Sequence, residues 1–383
     1  MRVMVSCGEP SGDLYAGALA AEILRKEPSA EIVGFGGDRL AAAGVRLVEN
    51  FSGLSVTGLS EVVRLLPKTY ATYRRLVDEA ETTRPDVLVA IDFPDFNFVL
   101  ARALKKRSIP VVYYISPQLW AWRPGRMATM KRLVERVLVI FPFEEQIYRD
   151  AGVPVEWVGH PLFDVAPTPV PRSAFLDSLG MDPGRPVLAL LPGSRTNELQ
   201  AILPGLVEAV KLIREQLPSV QFLLARAPHL RDALLAPVTE RETRTSPITI
   251  VDGRADDVLA AADAAVVASG TATVQAAMHG CPMAVVYRLS PMTYRLGKPF
   301  VQVQTYAMPN LIAGRGVVNE LIQDRFTPRA VASEVVRMLT DREYAARMRD
   351  DLHEVAAKLG TRGASGRAAD AVLAIAGRHA RVG

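Results

Sequence analysis

The feature that most constrains this chain is a rhythm: short Val-, Ile- and Leu-rich runs alternate with longer amphipathic stretches, and the series occurs twice. A strand covered on both faces reads as a continuous apolar run, and parallel strands need a crossover element between them, usually a helix. The first series is VMVSC, EIVGFG, DVLVAID, PVVYYIS, RVLVIF and VEWVG. A proline-rich, apolar-poor stretch, DVAPTPVPRS (164–173), then has the composition of a linker. The second series is VLALLPG, QFLLARA, ITIVDG, AAVVAS and PMAVVYR. The rhythm predicts an α/β chain of two doubly wound, Rossmann-like domains that face a central cleft. Their expected spans are 1–165 and 175–360, with a helical segment over 361–383 that could pack on either. A length of 383 residues agrees, being long for one core.

Composition enters by exclusion. Nearly half the residues are hydrophobic, with no low-complexity tract, which argues against disordered and fibrous classes. Cys7 and Cys281 flank apolar runs, as reduced thiols of a cytoplasmic protein do. The opening MRVMVSCGEPSGD is too short an apolar run for a signal peptide. No window has the uninterrupted apolar length of a spanning helix, so a soluble or membrane-surface protein is expected. A net charge of +4 mildly favours anionic partners. The basic residues are scattered and no nucleic-acid motif occurs, so nucleic acid is not an expected partner.

In doubly wound sheets ligands gather at the carboxyl ends of the strands, so the loops after each strand carry the functional information. After the first strand, CGEPSGD offers two glycine turns, with Ser11 and Asp13 suited to capping; turn-plus-cap and substrate contact both fit. GFGGDR fails the dinucleotide spacing. VAIDFPDFN puts Asp92 at a strand end, with Pro94 and Asp95 in the pattern of a helix start. LLPGSRTNEL places Ser194 and Arg195 between a buried strand and a helix, where backbone donors and a guanidinium make an anion site. Simple capping by Ser194 and Asn197 also fits. In VVASGTATVQ, the residues Ser269, Gly270, Thr271 and Thr273 open a second such helix. Two anion loops suit a diphosphate, while the Walker order is absent. The five histidines are dispersed, no metal-ligand spacing appears, and His160 in VGHPLFD fits a structural role as well as a cleft role.

The segment 58–77 interleaves Val62, Val63, Leu65 and Leu66 with Arg64, Lys68, Arg74 and Arg75, plus Tyr70 and Tyr73. An in-plane helix on an anionic membrane and a core-facing helix with a solvated basic side both account for it.

Taken in order, GEPSGDLYAG, GLSVTGLSEVV, AIDFPDFN, ISPQLWAWRPGR, FPFE, VGHPL, LLPGSR, ASGTAT, YAMPNLIAGR and NELIQ resemble the lipid-A-disaccharide synthases, from about residue 5 to about residue 325. The resemblance implies an inverting glycosyltransferase of the two-Rossmann-domain (GT-B) type that works without a metal or other cofactor. It implies UDP-2,3-diacylglucosamine as donor and 2,3-diacylglucosamine 1-phosphate as acceptor, giving a β-1,6 disaccharide 1-phosphate and UDP. It further implies action at the cytoplasmic face of the inner membrane; a homodimer is compatible with the sequence, which does not fix the oligomeric state.

Carried over residue by residue, Asp92 matches the family's base, and Arg195 with Ser194 matches the leaving-group side. Ser269, Gly270, Thr271, Thr273 and Gln275 match the UDP-holding helix start, and Asn310, Arg315, Glu320 and Gln323 the donor loop that follows. Glu9, Ser11, Asp95 and Asn97 fall on the acceptor side. Two positions depart from the pattern: Gln275 stands where relatives usually carry glutamate, and Thr57 where methionine is common. The first removes a charge-assisted bond to a ribose diol. Another UDP-sugar transferase, a UDP-sugar epimerase, or a non-catalytic nucleotide- or lipid-binding relative would share the architecture. The 58–77 segment favours the acylated-sugar enzyme over the epimerase, and Asp92 with Arg195 favours an enzyme over a binding protein.

Overall fold

Both β-series become all-parallel sheets in a computed structural model of the chain, which describes residues 1–51, 59–122, 124–228, 230–239, 248–289 and 305–380; the side chains of 59–65, 122, 124, 239 and 380 lie outside that description. The chain divides into two compact units, Met1–Ala166 joined by the chain from Leu359 onward, and Pro167–Lys358.

The first unit is built on β1 (Arg2–Cys7), β2 (Glu31–Gly36), β3 (Arg46–Asn50), β4 (Val87–Ile91), β5 (Val111–Tyr114), β6 (Arg136–Val139) and β7 (Val155–Trp157). They run in the order β3-β2-β1-β4-β5-β6-β7, every pairing parallel. The winding reverses between β1 and β4, where Cys7 pairs with Ile91. Gly8 and Asp92 therefore begin neighbouring loops at the switch point. The central strands β4 and β5 are buried throughout, and Leu88, Ala90, Val111 and Tyr113 join the core with Leu76, Leu100 and Leu104 from the covering helices.

The last helix, Ala364–Ala380, belongs to this unit. Asp164 accepts the backbone N–H groups of Gly363 and Ser365 at 2.5 and 2.7 Å, satisfying the helix start. Lys26 on the helix Pro10–Lys26 pairs with Asp370 at 2.6 Å.

The second unit carries β8 (Val187–Leu191), β9 (Gln221–Arg226), β10 (Ile248–Asp252), β11 (Ala264–Ala268), β12 (Met283–Tyr287) and β13 (Asn319–Ile322), in the order β10-β9-β8-β11-β12-β13. Its switch point lies between β8 and β11, where Leu191 pairs with Val267. The two anion-loop sequences, GSR after β8 and SGT after β11, thus flank one switch point.

Two strands escape the sequence reading, β3 and β13. Both are edge strands, which need only one apolar face, and β3 is nowhere fully buried.

Candidate active site

At the switch point of the first unit the backbone is strained. Asp92 and Phe93 both adopt left-handed conformations (φ 43° and 47°), as does Ile115 directly after β5 (φ 57°). Such angles cost non-glycine residues about 1–3 kcal/mol each, so the surroundings must impose them. Asn97 supplies much of that constraint. Its Nδ2 donates to the carbonyls of Asp92 (2.8 Å), Ile91 (3.1 Å) and Ser6 (3.3 Å), and its Oδ1 accepts the Ser6 hydroxyl at 2.6 Å. The Tyr113 hydroxyl donates to the Asp92 carbonyl at 2.7 Å. The Phe93 ring covers Gly8 so closely that a Cβ there would lie 2.4 Å from it. The result is a half-buried Asp92 side chain on a clamped backbone.

Two expectations for this loop are corrected. Asn97 is 0% exposed, so it does not face an acceptor; it positions the Asp92 backbone. Neither aspartate caps the helix Pro94–Lys105: its N-cap is Phe93, and the exposed Asp95 pairs with Arg126 at 2.7 Å. Across the switch point Glu9 is the N-cap of the helix Pro10–Lys26, and Ser11 lies half-buried in its first turn. Asp13 caps a different helix: buried, it accepts the N–H groups of Gly37, Arg39 and Leu40 at the start of Asp38–Ala42. That fixes the GFGGDR loop against the first helix.

In the second unit, the donors after β8 converge on an anion that the chain itself provides. Glu198 Oε2 accepts the backbone N–H groups of Ser194 (3.2 Å) and Arg195 (3.3 Å), and the Arg195 guanidinium reaches Oε1 at 3.3 Å. Gly193 has φ 116°, and a Cβ there would meet Glu198 Oε2 at 2.7 Å. Glu198 thus closes a capping box at the start of the helix Thr196–Gln216. Across the switch point Gly270 (φ 146°) caps the helix Thr271–Met278. Thr271 is exposed, and the Ser269 hydroxyl donates to the Tyr306 carbonyl at 3.1 Å. Thr273 is a correction: wholly buried, its hydroxyl bonds the Gly270 carbonyl at 2.7 Å and is spent on the turn. Gln275 donates to Asp256 at 3.4 Å, and Asp256 meets His279 Nε2 at 2.9 Å.

The donor loop divides in the same way. Asn310 is buried; it donates to Val318 O and Glu320 and accepts the N–H groups of Val317 and Val318. Glu320 accepts the N–H groups of Tyr306 and Ala307, tying the start of the helix Met308–Ala313. Both hold the loop in shape: Asn310 from a buried position, Glu320 from a half-buried one. Arg315 is engaged by Asp351 at 2.9 Å and Glu354 at 2.7 Å on the helix Arg342–Lys358. Gln323 differs. It follows β13 directly, in a left-handed conformation (φ 54°), and its buried Nε2 has no hydrogen-bond partner among the described residues. A buried donor left unmade costs about 1–3 kcal/mol, and strain of this kind clusters where ligands bind.

Elsewhere, His160 is buried, its Nδ1 accepts the Leu162 N–H at 3.2 Å, and burial pushes its imidazole down to about 3, so it is a neutral core residue. Among the described residues no cluster of three metal-ligating side chains occurs, and no helix is long and apolar enough to cross a membrane. The helix Leu59–Thr83 splits along its length. Leu66 and Tyr70 are 55% and 62% exposed while Leu76, Val77 and Ala80 enter the core. Arg74 pairs with Asp78 at 3.7 Å and Arg75 with Glu49. Thr57 and the side chains of Val62, Val63 and Leu65 lie outside the described residues.

Comparison with known proteins bears on these loops as a set. Residues 3–375 match the family model described as lipid-A-disaccharide synthetase. The lipid-A-disaccharide synthase of Geobacter sulfurreducens is 41% identical over 381 residues, covering 99% of this chain and 98% of that one. The Koribacter versatilis protein of the same name is 43% identical over 391 residues, with 99% of both chains covered. Among solved structures, the Neisseria meningitidis UDP-GlcNAc 2-epimerase bound to UDP-GlcNAc superposes with a TM-score of 0.67 at 13% identity, over 98% of this chain and 100% of that one. The calicheamicin glycosyltransferase CalG4 does so at 0.61 and 18% identity, over 98% of both. Those two share the fold alone. The sequence match spans nearly the whole chain; the chain belongs to the lipid-A-disaccharide synthase family.

Proposed function

We propose that this chain transfers 2,3-diacylglucosamine from UDP-2,3-diacylglucosamine to the 6-hydroxyl of 2,3-diacylglucosamine 1-phosphate. The observation that carries the reading is the family match together with a half-buried carboxylate on a clamped, strained backbone at a switch point. Asp92 takes the proton of the acceptor 6-hydroxyl as its oxygen bonds to the donor's anomeric carbon. The bond from that carbon to the diphosphate breaks in line, and the electron pair leaves with UDP. Arg195, the Ser194 and Arg195 backbone donors and the Thr271 end of the second helix stabilise the developing charge. For Arg195 and its neighbours this means exchanging Glu198 for diphosphate. Glu9 and Ser11 face the acceptor, and Gln275 takes the nucleotide. Exposed Leu66 and Tyr70 among basic residues hold the enzyme on an anionic membrane surface, where acylated substrates lie.

The test mixes purified protein with both acyl substrates in anionic vesicles and follows UDP and disaccharide. Both products are expected without added metal. Turnover of UDP-GlcNAc alone, with no disaccharide, would sink the reading in favour of an epimerase. Charge reversal at Arg74 and Arg75 is expected to slow the vesicle reaction and spare the reaction of detergent-dispersed substrates; equal rates on vesicles would remove the membrane arm.

Gln323 gives a prediction with two signs. Glycine adopts φ 54° without strain, so Gln323→Gly is expected to stabilise the fold by about 1 kcal/mol. The same change weakens UDP binding, because the waiting amide donor is gone. Urea unfolding and calorimetric UDP titration read the two effects separately.

A further inference from the structure

The carboxyl end of the first sheet holds another acid, one that the mechanism above leaves unused. Glu144 is the third residue of the helix Pro142–Asp150, which follows β6, and it is 1% exposed. Its Oε2 accepts the Phe141 backbone N–H at 3.4 Å, which closes the helix start. Its Oε1 accepts the Trp120 indole N–H at 3.2 Å. That second bond serves no cap: it joins the segment after β5 to the segment after β6. Trp120 also meets Phe143 edge-on at 5.2 Å, and Phe143 stacks on Phe141 at 5.7 Å. The β5 segment begins at Ile115, whose left-handed backbone needs an anchor. Beside it, Tyr114 O accepts the Asp92 N–H at 3.3 Å.

We propose that Glu144 is a positioning residue for the reaction at Asp92, its carboxyl group holding the Trp120 indole, and with it the Ile115–Trp122 segment, beside the strand end that carries Asp92. The inference rests on the reading of Asp92 as the base.

The charge on Glu144 decides how it can act. Burial pushes its carboxyl up to about 8; the Trp120 indole and the Phe141 and Ile140 backbone N–H groups pull it down, and the Asp92 charge pushes it up. Among the described residues the other titratable neighbours are Tyr148, one turn along the same helix, and His160, whose ring packs on Phe141. Both are neutral: burial raises the Tyr148 phenol and lowers the His160 imidazole. Arg126 is engaged by Asp95. Burial therefore favours the neutral acid at Glu144 at neutral pH. Its ionisation would add a negative charge near Asp92, where an anionic acceptor must approach.

The experiment is the pH profile of kcat/KM from neutral to alkaline pH for the full chain and two variants. The unaltered protein is expected to lose kcat/KM as pH rises through about 8. Glu144→Gln cannot ionise, so that alkaline limb disappears. At neutral pH its rate falls about tenfold, because a primary amide accepts only one of the two N–H groups and sets its own NH₂ against the other. Trp120→Phe removes a donor that favours the carboxylate and moves the limb to higher pH; it also keeps the proposal testable if Glu144→Gln fails to fold. A limb that persists in Glu144→Gln, or fails to move upward in Trp120→Phe, overturns the proposal. Full activity in Asp92→Asn would overturn the base reading instead, leaving the Glu144 limb to be judged on its own.

Discussion

Replacing Asp92 by asparagine is expected to lower kcat by about a thousandfold, the middle of the range for a lost general base, while UDP affinity stays nearly unchanged. Asparagine is the cleaner variant because it tolerates the left-handed conformation imposed at φ 43°. Alanine would add backbone strain and confuse stability with chemistry. The clamp on the Asp92 carbonyl from Asn97 and Tyr113 does not involve the carboxylate, so the backbone should hold. A fall in kcat with KM little changed identifies an interaction made in the transition state. Isothermal titration with UDP supplies the other half. A large loss of UDP affinity would reassign Asp92 to nucleotide binding, and a drop of only a few fold would leave it orienting the hydroxyl.

The sequence made the architecture legible because both sheets are parallel and covered. Strands such as Val187–Leu191 and Val87–Ile91 are apolar without interruption. Edge strand β3, RLVEN, carries mixed residues and reads as loop for that reason. The site was legible only in part. A family pattern identifies polar residues near a ligand but cannot separate those that face it from those that hold the loop. Asn97, Asn310 and Thr273 are buried and spend most of their polar atoms on backbone groups. The partners that reveal this are distant in sequence: Ser6 bonds Asn97 across 91 positions. Glu198 had a local signal, an acidic residue three positions after Arg195. That spacing marks a capping box, and the structure forms it. Gln275 is similar. The carboxylate it meets, Asp256, lies 19 positions earlier, so the departure from glutamate gains a charged neighbour that no local motif announces.

Arg195→Ala is expected to cost about 10²–10³ in kcat, the scale for removing one preorganised donor from developing negative charge, with little loss of stability. The guanidinium is 56% exposed, and its contact with Glu198 is a 3.3 Å i,i+3 pair. With its charged end on the exposed side of the pair, Arg195 gains about 0–1 kcal/mol from it, so deleting the side chain is expected to disturb the fold little. Glu198 keeps both backbone bonds to residues 194 and 195 in the variant, and the helix start survives. Lysine at 195 retains a charge but not the planar fork that meets two phosphate oxygens, so Arg195→Lys should fall between alanine and arginine in kcat. Thermal unfolding within about 0.5 kcal/mol of the parent, combined with a kcat lower by two orders or more, supports leaving-group stabilisation. A kcat within a few fold of the parent would mean that Glu198 retains the guanidinium throughout the reaction, and the diphosphate would then depend on the backbone donors of the two helix starts.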